Sequence, residues 1–274
     1  MPEADAASRL EDLDLLRAAA LEAGRIALGY FGNNPRAWTK AADSPVTEAD
    51  IASDRSLHAA LTTARPDYGW LSEETADTPD RLGRRRVFIV DPIDGTRGFM
   101  EGNVDWCVSV AVVEDGAPLV GVLFVPAREE LFLATRGGGA TLNGVPIAAA
   151  EPAAGAPLSF AGPMRHLRAA TGAGFSIADR RVTPSLAYRL ALVAAGRIDL
   201  ATAAPDACDW DLAAADLLVH EAGGTLRAAD GGMIRYNRPD PRHPALIAAR
   251  PGLVAAVAGP IALAEAAAEM LRRS

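Results

Sequence analysis

Residues 87–99, VFIVDPIDGTRGF, place two carboxylates, Asp91 and Asp94, where a short and very apolar run ends in a turn. A buried strand that delivers ionised carboxylates must offset the cost of desolvating them, and a divalent cation is the common partner. Pro92 and Gly95 favour the turn, and Thr96 follows with a hydroxyl and a backbone N–H. The combination suits a metal site beside an anion pocket. On local grounds the string D-P-x-D-G is also an ordinary turn, so this segment alone leaves both readings open.

Three further acidic clusters bear on the choice. Glu73 and Glu74 close the run Tyr68-Gly69-Trp70-Leu71-Ser72, where a solvated loop would be the plain explanation. Asp211, in Asp209-Trp210-Asp211, opens a strongly helical stretch that runs to Glu221 before Gly223-Gly224. An Asp there also reads as a helix N-cap. Asp50 follows Thr47 by three positions, the spacing of a capping box with Asp in place of Glu. Each local explanation holds singly. Four such clusters in one order, with these neighbours, point instead to a shared site.

With these motifs in place, the chain resembles the inositol monophosphatase superfamily, Mg²⁺-dependent and lithium-sensitive phosphatases of small molecules. The likeness is carried by residues 46–50, Ser72-Glu73-Glu74, 91–96, 106–144, 185–199 and 210–224. The run around Asp91 and the pair Trp210-Asp211 followed by Gly223-Gly224 are its most specific parts. The resemblance implies an α/β (α+β) fold, a five-layer α-β-α-β-α sandwich. It also implies one catalytic unit of two packed halves, about 1–150 and about 151–274, with the metals where the halves meet.

By the same resemblance, Glu73, Asp91 and the Ile93 carbonyl hold a first Mg²⁺, and Asp91 bridges to a second held by Asp94 and Asp211. A third, weaker ion rests on Glu73. Thr96, bonded to Asp50, orients the attacking water, so Asp50, Glu73 and Thr96 form the catalytic set. The N–H groups of Gly95 and Thr96 cradle the phosphate, with Asp94, Arg97 and Asp211 completing the substrate contacts. Attack is expected in line, without a phosphoenzyme. The motifs themselves are oxygen-rich and nearly free of His and Cys, which suits Mg²⁺ and argues against zinc.

Substrate choice turns on two positions. Inositol phosphatases of this family carry an acid seven residues before the Trp-Asp aspartate, and here that position is Ala204. Ala cannot accept a hydroxyl proton, which weakens inositol 1-phosphate and, for the same reason, histidinol phosphate as substrates. Arg97, directly after Asp94-Gly95-Thr96, resembles the 3′(2′),5′-bisphosphate nucleotidase branch, and adenosine 3′,5′-bisphosphate is the leading expectation. Arg97 also reads as a structural ion-pair residue, and Arg165, His166 and Arg168 are further basic candidates. Pro184 stands before Ser185 where the family usually has Gly. Some family members are partners of the transcription machinery, so a binding protein without catalysis is the rival class. A homodimer is the family's habit.

Composition narrows the setting. A chain of 274 residues can bury a substantial core as one large or two smaller units. The net charge of −8 argues against nonspecific nucleic-acid binding, which needs basic surface. The N-terminus is acidic and lacks the features of a signal peptide. No uninterrupted apolar run is expected to cross a bilayer. Cys107 and Cys208 form no motif, so a reduced, cytoplasmic protein is expected, with Cys107 a small core residue.

The elements that position these residues follow from periodicity. Leu10, Leu13, Leu16 (or Ala20), Leu21 and Ile26 predict a first helix ending near 29–32, then a polar loop over 33–45 and a second helix over 47–64. Strands are predicted at 87–90, 106–114, 119–124 and 131–135 as an antiparallel meander, with a turn at Glu114-Asp115-Gly116. Gly137-Gly138-Gly139 reads as a hairpin turn, since no Lys-Ser/Thr follows as in a phosphate loop. Beyond an Ala- and Pro-rich stretch at 148–157, helices are predicted at 164–171, 185–195 and 211–222. A last Ala-rich segment, 252–272, is expected to break at Gly259-Pro260.

Overall fold

The near-continuous apolar runs between residues 87 and 125 form strands buried on both faces, as expected of a sheet covered by helices on each side. A computed structural model describes residues 2–39 and 45–273. The first half runs α1 (Pro2–Tyr30), β1 (Ala37–Thr39), β2 (Pro45–Thr47), α2 (Glu48–Ala64), β3 (Gly69–Ser72), β4 (Arg86–Asp94) and α3 (Thr96–Met100). It continues through β5 (Cys107–Glu114), β6 (Ala117–Val125), β7 (Glu130–Thr135), β8 (Gly139–Leu142) and β9 (Val145–Pro146). The second half carries β10 (Leu158–Ala161), α4 (Met164–Gly172), β11 (Ile177–Arg181), α5 (Leu186–Ala194) and β12 (Leu200–Ala203). It closes with α6 (Asp209–Glu221), β13 (Thr225–Ala228), β14 (Leu246–Ala249) and α7 (Pro251–Arg273).

These elements stack in five layers. α1 and α2 cover one face of a seven-stranded sheet ordered β3-β4-β5-β6-β7-β8-β9. α5 and α6 lie between it and a five-stranded sheet ordered β11-β10-β12-β14-β13, whose outer face is covered by α4 and α7. Strand alternation divides the core. Phe88 and Val90 pack with Leu16, Leu57 and Leu61 on the α1/α2 side, while Val87 and Ile89 pack with Leu212, Ala213 and Leu218 of α6. The helix α6 sits very close to the sheet, since a Cβ at Gly121 of β6 would lie 2.9 Å from the Ala214 carbonyl oxygen.

Two features of the first sheet aim the acids. β3 and β4 are parallel, from Gly69↔Val87 to Ser72↔Val90, so both strands run out at the same end. The Glu73 N–H extends the pairing to the Val90 carbonyl at 3.2 Å. β4 and β5 then shift register between Asp91 and Asp94, a bulge that redirects side chains at a strand end.

Several expectations are corrected. α1 does not bury Leu10 or Leu21, which are 58% and 39% exposed; its inner face is Asp12, Leu16, Ala19, Ala20, Ala23 and Ala27. Small residues let that helix approach the sheet, so the buried stripe follows the alanines. The loop expected at 33–45 contains β1, paired with β2 through Ala37↔Thr47, and its residues 40–44 lie outside the described residues. α7 does not break at Pro260. A proline forfeits one helical bond, and Val254, Val257 and Ile261, buried on either side of it, hold both parts on the sheet. Being unbroken, Pro251–Arg272 is long and apolar enough to cross a membrane by length and composition, although Glu265 and Glu269 interrupt its apolar run.

Candidate active site

Asp91, Asp94 and Asp211 converge, with one carboxylate oxygen from each lying within 4.8 Å of the others. Asp91 and Asp94 are buried at the end of β4, and Asp211 is half-buried in the first turn of α6. The helix begins at Asp209 rather than at Asp211. Asp211 occupies the third helical position and accepts the Cys208 N–H at 2.6 Å, so its N-cap reading gives way to the reciprocal arm of a capping box.

Each acid is held from behind. Asp91 Oδ1 accepts the Ile93 N–H at 3.0 Å, which shapes the turn after β4. Asp94 Oδ2 accepts the Ser185 hydroxyl at 2.5 Å and the Ala187 N–H at 2.6 Å, both at the start of α5. Ser185 in turn caps α5 by accepting the Tyr188 N–H, and Cys107 Sγ lies 3.3 Å from its oxygen. Asp209, fully buried, bonds to His243 Nε2 at 2.6 Å and accepts the Asn237 N–H at 2.7 Å, which anchors the start of α6.

Glu73 lies outside the three-carboxylate group, half-buried just beyond β3. Its charge still reaches Asp91, Asp94, Asp211 and Asp50, since it raises the pKa of each. The loop carrying it is pinned by Asp54, which accepts the hydroxyls of Ser72 at 2.5 Å and Thr75 at 2.7 Å.

The Thr96 hydroxyl stands 3.1 Å from Asp50 Oδ1 and 3.0 Å from the Ile93 carbonyl oxygen, and its single proton serves one acceptor at a time. Asp50 Oδ2 accepts the N–H and hydroxyl of Thr47. Gly95 takes φ 96°, and a Cβ there would lie 3.1 Å from the Ser185 nitrogen, so both conformation and space select glycine. Pro184 packs on α3 so closely that a Cβ at Gly98 would lie 2.7 Å from its ring.

The electrostatics are those of a cation site. Burial is the largest influence on all four carboxyls. It holds Asp91 well above the usual range, with Glu73 and Asp94 adding to it, and does the same for Asp211, with Asp94 adding most. Asp94 is pushed up to about 6 despite its hydrogen bonds from Ser185 and Ala187, and Asp50 likewise to about 6. Among the described residues, no Arg, Lys or His side chain forms an ion pair with Asp91, Asp94 or Asp211. Clustered, buried and oxygen-only, these residues fit a hard divalent cation such as Mg²⁺.

Arg97 is exposed on α3. Arg165 and His166 are taken up elsewhere, both bonded to Glu265 of α7, which leaves them as links between α4 and α7. Sequence reasoning missed Ser185 as a support of Asp94, and Asp54, Asp209 and His243 as anchors. The serine at a helix start was the one available signal.

Comparison with known proteins agrees with this geometry. Residues 10–272 match the model of the inositol monophosphatase family. An inositol-1-monophosphatase of Rhizobium meliloti is 36% identical over 234 residues, covering 80% of this chain and 86% of the relative. A histidinol-phosphatase of Chlorobaculum parvum is 34% identical over 220 residues, covering 78% and 84%. In structure, the extragenic suppressor protein suhB of Bartonella henselae superposes with a TM-score of 0.80 at 28% identity, covering 91% of this chain and 98% of that one.

Proposed function

The chain belongs to the inositol monophosphatase family, and on that premise we propose that it is a Mg²⁺-dependent phosphatase of a small phosphorylated metabolite. The observation that carries this reading is the convergence of Asp91, Asp94 and Asp211, buried or half-buried and, among the described residues, in no ion pair with a cationic side chain. Mg²⁺ at these oxygens, with Glu73 and the Ile93 carbonyl beside them, would neutralise the phosphate and lower the pKa of a water. The chain's own groups do the rest. The Thr96 hydroxyl, placed against Asp50, can accept a hydrogen bond from the attacking water and donate to the Asp50 carboxylate. With its carboxyl near 6, Asp50 is mostly ionised at neutral pH and available as that acceptor. On this reading the N–H groups of Gly95 and Thr96 would serve the phosphate as preorganised donors for its developing charge.

The leading substrate is adenosine 3′,5′-bisphosphate. Ala204 offers no acceptor for inositol hydroxyls, and Arg97 adds a cation beside the phosphate pocket. The relatives named for inositol 1-phosphate and histidinol phosphate set the competing readings. The deciding experiment is Mg²⁺-dependent phosphate release from a panel of adenosine 3′,5′-bisphosphate, inositol 1-phosphate, histidinol phosphate and fructose 1,6-bisphosphate. The bisphosphate nucleotide should show the highest kcat/KM, and Arg97→Ala should lower it more for that substrate than for 2′-AMP. A preference for inositol 1-phosphate would replace the nucleotide reading with an inositol-type one. No Mg²⁺-dependent release from any of them would leave a binding protein on a phosphatase frame.

A further inference from the structure

Beside the carboxylates lies a cleft of about 440 Å³, lined by Gly162, Pro163, Leu186, Arg189, Ala204 and Asp206 among others. One of its lining residues, Leu186, is the chain neighbour of Ser185 and Ala187, the two residues that bond Asp94. Ala204 lines it as well.

Arg189 is unusual for a largely buried guanidinium. It donates to the carbonyls of Thr202 at 3.2 Å and Thr183 at 2.8 Å, its buried Nε has no partner, and no carboxylate lies within ion-pair distance among the described residues. Burial lowers its pKa; the charge of Asp94 raises it, and a second guanidinium, Arg180 of β11, lowers it again. Arg180 reaches the Gly162 carbonyl at 3.4 Å, on the rim of the same cleft, and makes no ion pair either among the described residues. Among the described residues the only acid lining the cleft is Asp206, which is exposed and has Arg242 within its field. Arg189 lines the cleft and Arg180 reaches the Gly162 carbonyl on its rim, two like charges near enough to influence each other. Guanidinium groups so placed recognise phosphate or carboxylate.

We propose that Arg189 and Arg180 bind a second anionic group of the substrate, a phosphate or carboxylate several bonds from the phosphate that is hydrolysed. This rests on the phosphatase reading and deepens it, since it selects doubly anionic substrates and disfavours a cationic one such as histidinol phosphate.

The test uses matched pairs that differ by one anion: adenosine 3′-monophosphate with adenosine 3′,5′-bisphosphate, and glycerol 3-phosphate with 3-phosphoglycerate. Wild type should prefer the doubly anionic member of each pair it hydrolyses. Arg189→Met should lower kcat/KM for that member by roughly tenfold to a hundredfold, mostly through KM, and leave the singly anionic member within about twofold. Arg180→Gln lies on an exposed strand where folding is not at stake, and should show the same selectivity with a loss of roughly threefold to tenfold. Equal losses on both members with Arg180→Gln would overturn the subsite and leave the phosphatase reading standing. If neither nucleotide is hydrolysed but the preference for 3-phosphoglycerate collapses in both variants, the nucleotide reading falls and the subsite holds.

Discussion

Replacing Asp91 with Asn should make the metal-free protein more stable and the enzyme inactive. Burial and the charges of Glu73 and Asp94 hold the Asp91 carboxyl well above its usual range, and Asp94 is carried from 3.8 to about 6. A carboxyl with a raised folded pKa binds more protons folded than unfolded across that window. Stability from Asp94 is therefore highest below about 4 and is lost as pH climbs from there through 6. For Asp94 alone the change is roughly 3 kcal/mol against the charged form. Asn at 91 removes one charge from that repulsion and still accepts the Ile93 N–H. A gain of about 1–2 kcal/mol at pH 7.5 would raise Tm by roughly 3–6 °C, and the gain should shrink toward pH 4. Saturating Mg²⁺, at about a hundred times its Kd, should stabilise wild type by about 2.7 kcal/mol, raising its Tm by roughly 5–10 °C, and barely move the variant. Phosphatase activity should fall below about a tenth of wild type. Calorimetry in EDTA and in Mg²⁺ at pH 4, 6 and 7.5 reads all of this. A variant that melts below wild type in EDTA at pH 7.5, or that keeps the full Mg²⁺ shift, would refute the electrostatic reasoning.

Ser185→Ala removes both a helix cap and the hydroxyl that orients Asp94, so it should cost about 1 kcal/mol of stability and weaken Mg²⁺ activation several-fold. An unchanged Mg²⁺ half-saturation in the folded variant would make Ser185 a cap alone. Li⁺ should inhibit uncompetitively with substrate if the ion at Asp94 and Asp211 must leave after turnover; steady-state kinetics at tens of millimolar Li⁺ decide it, and insensitivity would argue against such a site.

The acids were legible because buried strands that end in carboxylates break the usual hydrophobic pattern, as at Val90-Asp91 and Leu71-Ser72-Glu73. The Thr47–Asp50 capping box was legible for a different reason: its geometry is local. What stayed hidden depended on distant contacts. Nothing in the string around Ser185 says that it meets Asp94, and nothing near Asp209 announces His243. Periodicity found α1 and its end but not its whole inner face, which combines Leu16 with alanines while Leu10 and Leu21 stay outside. Pro260 misled because tertiary packing on both sides of it outweighs one missing helical bond. Arg189 escaped notice since an Arg in an amphipathic helix reads as surface until its neighbours are known.

The convergence of Asp91 and Asp211 also has a kinetic side. These residues are far apart in the chain, so their repulsion exists only once α6 has seated against the sheet at Gly121. A collapsing chain does not yet feel it. By the usual partition between folding and unfolding rates, such a late, unfavourable contact leaves folding speed nearly unchanged and accelerates unfolding. Bound Mg²⁺ would then act as a brake on unfolding, lengthening the lifetime of the folded state while hardly altering the rate at which it forms. Unfolding traces in denaturant with and without Mg²⁺ would separate the two limbs.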